Sequence, residues 1–320
     1  MGTKETVCPM VTIAYIQTLC CMIDAQYHNL FNGKKDIQEH MKLLEKEERH
    51  DDIKNIYEGL FLFAMMWSFG AGLTDERNAF SGYCKSVARV KFPDEQGVMC
   101  YDYFFDPIKG TWVHWNEKVL NYNTEYEGLF NNIVVPTADT TRQKYILALH
   151  VQNRRGVLYV GAAGTGKTTI INDYFSSLDK DYTLSASISF NSYTDSKTLQ
   201  RVLESKVEKR AGNKVGPPPG KVLIYFMDDL NMPYLDKYGT QSPIALMRQI
   251  IDYQIIYDRD DLAEKKFLQD CMFTACMNPK SGSFNVNSRL QRHLSLFATS
   301  IPSKEILQTI YHQILKIHFQ

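Results

Sequence analysis

The chain has 320 residues, which is enough for one large domain and a smaller one. It carries 36 Lys and Arg residues against 36 Asp and Glu residues, so its formal net charge is zero. This balance argues against a nucleic-acid-binding protein that relies on a broad basic surface, although a local basic groove stays open. The seven cysteines show no C-x-x-C spacing, so metal and redox motifs are unsupported. We expect them to be small core or surface residues in a reducing compartment.

The first 95 residues predict a small helical domain. Apolar residues recur at near-helical spacing over 10–32, and a charged segment with a sparse apolar stripe covers 35–57. Residues 60–69 are apolar almost all round, which is typical of a buried helix, and residues 75–90 predict a further helix. The apolar segment 11–23 is too short to span a bilayer, so we expect no membrane contact.

Residues 96–125 predict a β-hairpin that links this helical domain to the rest of the chain. Two aromatic, partly alternating segments, 98–105 and 111–115, flank a turn at 106–110 that contains Pro and Gly. The aromatic rings could form a ligand cage, but packing between the two strands is the expected role.

A glycine-rich segment in the middle of the chain fits the G-x-x-x-x-G-K-[ST] phosphate-binding motif. The segment and the residue that follows it are Gly161, Ala162, Ala163, Gly164, Thr165, Gly166, Lys167, Thr168 and Thr169. The glycines let the backbone turn its N–H groups towards a polyphosphate, and the following helix directs its positive end at the same anion. Lys167 is placed to reach the β- and γ-phosphates, and the hydroxyl of Thr168 is placed to bind Mg²⁺.

Around this motif the chain alternates strands and helices, which predicts an α/β fold with a doubly wound parallel sheet. The predicted helices cover 195–209 and 243–253, and residues 212–221 predict a loop. Five strands are predicted, at 157–160, 183–190, 222–227, 271–277 and 294–298. Ligands of such sheets bind at the carboxyl ends of the strands.

That rule draws attention to polar residues that follow two of the strands. Asp228 and Asp229 end the strand at 222–227, where one carboxylate can hold Mg²⁺ and the next can orient an attacking water. Asn278 ends the strand at 271–277, where its amide can position water or contact a γ-phosphate. An Asn before Pro279 is also a common turn residue, and by itself that interpretation is the better one.

Arg289 and Arg292 lie three residues apart, just before the last strand. An arginine can stabilise charge on a transferring phosphoryl group, in its own site or in a neighbour's. A solvated helix end explains the pair equally well, so both interpretations stay open.

The order of these motifs resembles that of AAA+ ATPases, and several segments resemble the third AAA+ module of an axonemal dynein heavy chain. The segments that carry this resemblance are Asp228–Pro233, Tyr238–Pro243, Met247–Gln249 and Val135–Thr140. Gly59–Phe63 with Trp67–Gly70 is similar to the lid of the preceding, second module, and Tyr101–Trp115 to the segment that joins the two modules. The resemblance covers most of the chain.

The resemblance implies an AAA+ nucleotide-binding core that uses ATP or ADP with Mg²⁺. By motif, Thr168 and Asp228 would hold the metal, and Asp229 would occupy the position of the catalytic Glu. Asn278 would be the first sensor, and Arg289 or Arg292 a finger that serves the neighbouring module. The adenine-proximal residues would be Val135, Pro136 and Thr137. Since Asp is one methylene shorter than Glu, we expect hydrolysis to be slow or absent.

The resemblance also implies a domain plan and a cellular setting. Residues 1–95 would form the lid of the preceding module, 96–125 the linking hairpin, 126–302 the nucleotide-binding core and 303–320 the start of a truncated lid. Its partners would be the neighbouring AAA+ modules and, through the full-length motor, microtubules and dynein intermediate and light chains. The location would be the cytoplasm, the cytoskeleton and the ciliary axoneme, and this fragment alone is not expected to walk.

Three functions remain in view at this point. The first is a regulatory module of a microtubule motor of cilia and flagella that binds ATP and hydrolyses it slowly. The second is a structural ring module that holds a nucleotide without turnover. The third is a P-loop ATPase that remodels nucleic acid, which the neutral charge and the dynein-like segments disfavour.

Overall fold

The protein is described by a computed structural model that covers residues 6–74, 76–120, 133–279 and 286–319. The chain forms two compact units. The first contains the described residues of Met1–Thr6, Tyr15–Asn153 and Ser300–Gln320, and the second contains Val7–Ala14 and Arg154–Thr299. The predicted domain boundary between residues 125 and 126 lies outside the described residues.

The helices and strands of the described residues alternate in the second half of the chain. The helices are α1 (Thr12–Asn32), α2 (Lys35–Lys46), α3 (His50–Phe69), α4 (Arg77–Val87), α5 (Ala138–Gln152), α6 (Lys167–Ser176), α7 (Ser196–Glu204), α8 (Ser242–Tyr253), α9 (Ser288–Gln291) and α10 (Lys304–His318). The strands are β1 (Tyr103–Asp106), β2 (Thr111–His114), β3 (Gly156–Val160), β4 (Thr183–Ser189), β5 (Glu208–Lys209), β6 (Lys214–Gly216), β7 (Val222–Asp228), β8 (Ile255–Tyr257), β9 (Lys265–Leu268), β10 (Cys271–Met277) and β11 (Leu294–Ala298).

The first unit is mainly helical, as predicted, but the charged segment at 35–57, whose sparse apolar stripe is typical of a solvated helix, does not form one helix. The chain breaks there into α2 and α3, because Glu48 adopts a left-handed backbone conformation with φ of 54°. The amide of Arg49 then donates to the carbonyl of Leu44 at 2.9 Å, which closes the end of α2. None of the helices in the described part of the chain is long and apolar enough to cross a membrane.

The hairpin of the first unit is held by its aromatic rings, which pack on one another as predicted. Phe105 lies opposite Trp112 in the antiparallel register, and Phe92 stacks on Trp112 with 4.1 Å between ring centroids. The indole N–H of Trp112 donates to the carbonyl of Val90 at 2.9 Å. The strand predicted from residue 98 begins only at Tyr103, because residues 100–102 form a 3₁₀ turn instead.

The second unit contains the five-stranded parallel sheet that the alternating pattern predicts. Its strand order is β11-β3-β10-β7-β4, and every neighbouring pair is parallel. The central strands are buried along almost their whole length, from Val157 to Val160 in β3 and from Leu223 to Met227 in β7. Such continuous apolar strands are expected where helices cover both faces of a sheet. The carboxyl ends of β3, β7 and β10 therefore meet at one edge.

A second sheet in this unit, with strand order β5-β6-β9-β8, was not predicted. The helix expected over 195–209 ends at Glu204. Glu208 and Lys209, at the end of the predicted range, form β5 instead. The loop expected over 212–221 contains β6, which pairs with β9. Strands of two to four residues have too few positions for an alternating pattern, which is why the sequence did not reveal them.

Asp270 immediately precedes β10. It connects this second sheet to the amino ends of the strands in the first sheet. Its carboxylate accepts from Arg210 Nη1 at 2.6 Å and from Arg154 Nη1 at 2.8 Å. The hydrogen bond from Arg210 is the main reason that the pKa of Asp270 is lowered, and Arg154 adds to it. The backbone of Asp270 is left-handed, with φ of 53°.

We expect Asp270→Asn to destabilise the protein by about 1–2 kcal/mol at neutral pH, since the two arginines lose their charged acceptor while Asn still tolerates the left-handed backbone. The folded-state pKa of Asp270 lies below its unfolded value, so its contribution is present above the unfolded pKa and is lost as pH falls through the folded pKa. The difference from the parent in urea unfolding should therefore shrink in acid. Asp181→Asn, on an exposed turn, is the control. An equal deficit at every pH would contradict this assignment.

Candidate functional site

The phosphate-binding motif forms the turn that joins β3 to α6, as its sequence predicts. Gly164 and Gly166 adopt left-handed backbone conformations with φ of 80° and 79°, which residues other than glycine rarely adopt. Gly166 is the N-cap of α6, and Lys167 is its first residue. The loop backbone and the positive end of α6 thus face the same region, which suits a bound anion.

Gly161 is required for a different reason, because its backbone passes very close to Thr299. A Cβ atom at position 161 would lie 2.1 Å from the hydroxyl oxygen of Thr299 and 2.4 Å from its carbonyl oxygen. Thr299 in turn follows β11, and its amide donates to the carbonyl of Val160 at 2.8 Å. The start of the loop is therefore fixed against the end of the neighbouring strand.

Lys167 is almost fully buried, and its ammonium group is hydrogen-bonded within the loop. It donates to the carbonyl oxygens of Gly161 and Ala162 at 2.8 and 2.7 Å and to the hydroxyl of Thr165 at 3.1 Å. Burial lowers the pKa of Lys167, while the nearby acidic groups act in the opposite direction. The side chain is thus positioned where phosphate oxygens would replace the loop carbonyls as acceptors.

Asp228, the last residue of β7, meets Thr168 at the carboxyl edge of the sheet. The hydroxyl of Thr168 lies 3.1 Å from both carboxylate oxygens of Asp228. The oxygen Oδ1 also accepts from the backbone N–H of Asp229 at 3.1 Å and from the thiol of Cys276 at 2.7 Å. Sequence reasoning missed Cys276, which had been treated only as a small core or surface residue. Its position near the end of β10, two residues before Asn278, was the available signal.

Asp229 follows in a left-handed conformation with φ of 55°, which turns the chain sharply after β7. Its side chain is exposed at the edge of the sheet. Partial desolvation, together with the neighbouring carboxylate of Asp228, raises the pKa of Asp229, and Lys167 only partly offsets this. Two adjacent carboxylates beside one buried ammonium group favour an additional cation here.

The main chain around Asn278 connects the loops after β7 and β3. The carbonyl of Asn278 accepts from the side-chain amide of Asn231 at 2.9 Å, and the carbonyl of Met277 accepts from the backbone N–H of Gly161 at 3.2 Å. Asn231 itself lies in the dynein-like segment after Asp229. The side-chain amide of the buried Gln241 donates to the carbonyl of Pro233 at 2.8 Å, so both dynein-like segments order the same loop.

Arg292 lies at the opposite end of the sheet from the phosphate loop, and Arg289 lies on the short helix α9 before it. Arg289 is exposed on α9, and Arg292 precedes Leu294, which pairs with the first residue of β3. Arg292 donates to Asp252 at 2.7 Å. The structure therefore does not bring either arginine together with Lys167.

The remaining predicted site residues fall in two places. Thr169 is exposed on the first turn of α6. Val135, Pro136 and Thr137 belong to the first compact unit, where Thr137 is the N-cap of α5 and its hydroxyl accepts from the amide of Thr140 at 3.2 Å.

The oxygens at the edge of the sheet fit Mg²⁺. No cluster of three or more His, Cys, Asp or Glu side chains suited to a metal ion occurs among the described residues. Thr168 and Asp228 supply one hydroxyl and one carboxylate, which matches the way proteins hold Mg²⁺ together with water and substrate phosphates. A site of this kind depends on the nucleotide for its remaining ligands.

Two family models match this chain. The P-loop containing dynein motor region matches residues 122–302, and the dynein heavy chain AAA lid domain matches residues 3–117. Together these models cover the helical first part of the sequence and the second part, in which strands and helices alternate.

Several curated dynein chains are similar to this chain. A ciliary dynein beta chain of Heliocidaris crassispina is 42% identical over 271 residues, which is 83% of this chain and 6% of the relative. Dynein axonemal heavy chain 17 of Homo sapiens is 41% identical over 282 residues, 86% of this chain and 6% of the relative. The dynein beta chain of the flagellar outer arm of Chlamydomonas reinhardtii is 39% identical over 265 residues, which is 81% of this chain and 6% of the relative. The chain thus spans only a small part of the length of these relatives.

We expect Gly161→Ala to destabilise the second unit by more than about 2 kcal/mol, since the new methyl group overlaps backbone as well as side-chain atoms of Thr299. Thermal unfolding measures the effect. Thr299→Ser should not rescue the variant, because the overlap with the carbonyl oxygen remains. Gly82→Ala is the control, since a Cβ there meets nothing within 4 Å and should be neutral or slightly stabilising. Equal unfolding temperatures for the two variants would contradict the close approach.

Proposed function

The chain belongs to the dynein heavy chain family, and from this premise we propose that it is a regulatory AAA+ module that binds ATP or ADP with Mg²⁺ within a motor of cilia and flagella. The observation that carries the proposal is the convergence of three groups at one edge of the sheet. They are the ammonium group of Lys167, the hydroxyl of Thr168 and the carboxylate of Asp228. All three belong to the same compact unit.

In this proposal each group has a separate role toward the nucleotide. The backbone N–H groups from Ala162 to Gly166 would bind the β-phosphate, and Lys167 would bind the β- and γ-phosphates. Thr168 and Asp228 would hold Mg²⁺, Asp228 directly or through water. When bound, the metal neutralises charge on the phosphate oxygens. In this proposal Lys167 would exchange its carbonyl acceptors for phosphate oxygens on binding.

For the base, the proposal assigns the segment Val135, Pro136 and Thr137. The assignment rests on the resemblance of Val135–Thr140 to the entry segment of such modules.

Hydrolysis is proposed to be slow. Asp229 would orient the attacking water, and the amide of Asn278 would contact the γ-phosphate or that water. The side chain of Asp229 is one methylene shorter than that of Glu, so its carboxylate extends less far towards an attacking water. This shorter reach reduces its effectiveness as a base. The alternative, a structural module that holds a nucleotide without turnover, is favoured by the same feature.

Arg289 and Arg292 are proposed to act on the neighbouring module instead. Arg292 lies at the end of the sheet away from Lys167, so a finger at its position would not reach the phosphates of its own site. Arg292 is paired with Asp252, whereas Arg289 is exposed on α9 and forms no ion pair with the residues that the structure describes, so Arg289 is the better finger candidate.

The wider setting is proposed from family membership. In this proposal residues 1–95 are the lid of the preceding module, 96–125 the linking hairpin, 126–302 the core and 303–320 the start of the next lid. The partners are neighbouring AAA+ modules of one heavy chain, with microtubules and intermediate and light chains reached through the whole motor. The location is the axoneme and the cytoskeleton of the cytoplasm. A nucleic-acid-remodelling role would show itself as a salt-dependent DNA gel shift.

We expect Lys167→Ala to weaken the binding of labelled ATP with Mg²⁺ by roughly 100-fold or more, because charged hydrogen bonds to the phosphates are lost. Equilibrium dialysis measures the affinity. Lys197→Ala, an exposed lysine on α7, is the matched control and should bind as the parent does. Equal affinity for all three proteins would overturn the nucleotide site.

We expect single-turnover hydrolysis to increase roughly tenfold in Asp229→Glu and to fall below the parent in Asp229→Asn, since the longer carboxylate reaches the water better and the amide cannot accept its proton. Nucleotide affinity, measured in parallel, should change little in either variant. Identical background rates in the three proteins, with binding intact, would instead favour the nucleotide-holding alternative.

A further inference from the structure

Cys276 contacts the carboxylate that is assigned to the metal, although no motif includes it. Its thiol is 1% exposed and donates to Oδ1 of Asp228 at 2.7 Å, and the sulfur lies 3.9 Å from the hydroxyl oxygen of Thr168. Its carbonyl accepts from the backbone N–H of Leu230 at 3.0 Å, so the residue is fixed to the chain after Asp229 as well. The thiol and the carbonyl of Cys276 therefore contact the two ends of the turn at Asp228–Leu230.

The two carboxylate oxygens of Asp228 accept different numbers of hydrogen bonds. The hydroxyl of Thr168 lies at the same distance, 3.1 Å, from Oδ1 and Oδ2, so it does not select an orientation of the carboxylate. The thiol of Cys276 and the backbone N–H of Asp229 both donate to Oδ1. Among the described residues, Oδ2 accepts a hydrogen bond from Thr168 only. The carboxylate is thus rotated so that Oδ2 is the oxygen left for a cation.

We propose that Cys276 is a positioning residue for the divalent cation, because its thiol holds Oδ1 and thereby presents Oδ2 of Asp228 to Mg²⁺. This inference rests on the proposed function, since it concerns the metal that accompanies the nucleotide. A sulfur donor suits the role, as it is a weak ligand for Mg²⁺ and does not compete with oxygen for the ion. Groups that orient a metal-binding side chain in this way typically change metal affinity by roughly 10- to 100-fold when removed.

The test uses the 320-residue chain and measures the affinity for labelled ADP as a function of Mg²⁺ concentration. Cys276→Ala removes the donor, and the Mg²⁺ concentration at half-saturation should rise roughly tenfold. The affinity measured in EDTA should stay unchanged. Cys276→Ser, which keeps a donor, should recover most of the Mg²⁺ dependence. Cys276→Val fills the volume without a donor and replaces the Ala variant if that one does not fold.

Cys271→Ala is the matched control, since Cys271 lies at the other end of the same strand and its thiol donates to the carbonyl of Gln269 at 3.3 Å. It should bind Mg²⁺ and nucleotide as the parent does. A purely structural role for Cys276 would lower the unfolding temperature but leave the Mg²⁺ half-saturation unchanged, and that result would overturn the inference while leaving the nucleotide site intact.

One further result would also overturn it. If the parent chain binds no nucleotide at any Mg²⁺ concentration, the proposed function fails and the inference fails with it. A raised half-saturation in the Ala variant, with recovery in Ser, supports both.

Discussion

The candidate site depends on the last residues of β10, whose backbone holds the loops on either side of it. The carbonyl of Cys276 accepts from Leu230, that of Met277 from Gly161 and that of Asn278 from the side chain of Asn231. Because β10 lies between β3 and β7 in a parallel sheet, both neighbouring strands end beside it. The phosphate loop and the acidic turn are thus fixed relative to one another, and the bonds from Leu230 and Gly161 are main-chain hydrogen bonds that few substitutions can remove.

Electrostatics then explains why the site is suited to a nucleotide with its metal. Two adjacent carboxylates, Asp228 and Asp229, lie beside a single buried ammonium group on Lys167. The raised pKa of Asp229 reflects the cost of holding both negative charges in a partly desolvated place. In the proposed function a divalent cation would relieve that cost, and the phosphates that accompany it would supply the anion that Lys167 and the loop N–H groups favour. The proposed metal and nucleotide would therefore stabilise each other's binding.

Much of this could be predicted from the sequence because the signals are local. The phosphate loop needs glycines at set positions, and the apolar run before it has to be a buried strand, so strand, loop and helix follow directly. Alternation of strands and helices predicted the five-stranded parallel sheet, whose geometry places Asp228 near Thr168. By contrast, the break at Glu48, the early end of α7 and the second sheet were missed. Each depends on short segments or on a single left-handed residue.

By itself the sequence determined the fold class, the identity of the phosphate loop and the acids that would meet it, since each depends on residue type at fixed spacing. Only the tertiary structure decided which other groups touch those acids. It placed the thiol of Cys276 on Asp228 across a separation of 48 residues, and it placed Arg292 on Asp252 at the far end of the sheet. Contacts of this kind depend on strand order and on side-chain direction, which no spacing along the chain encodes.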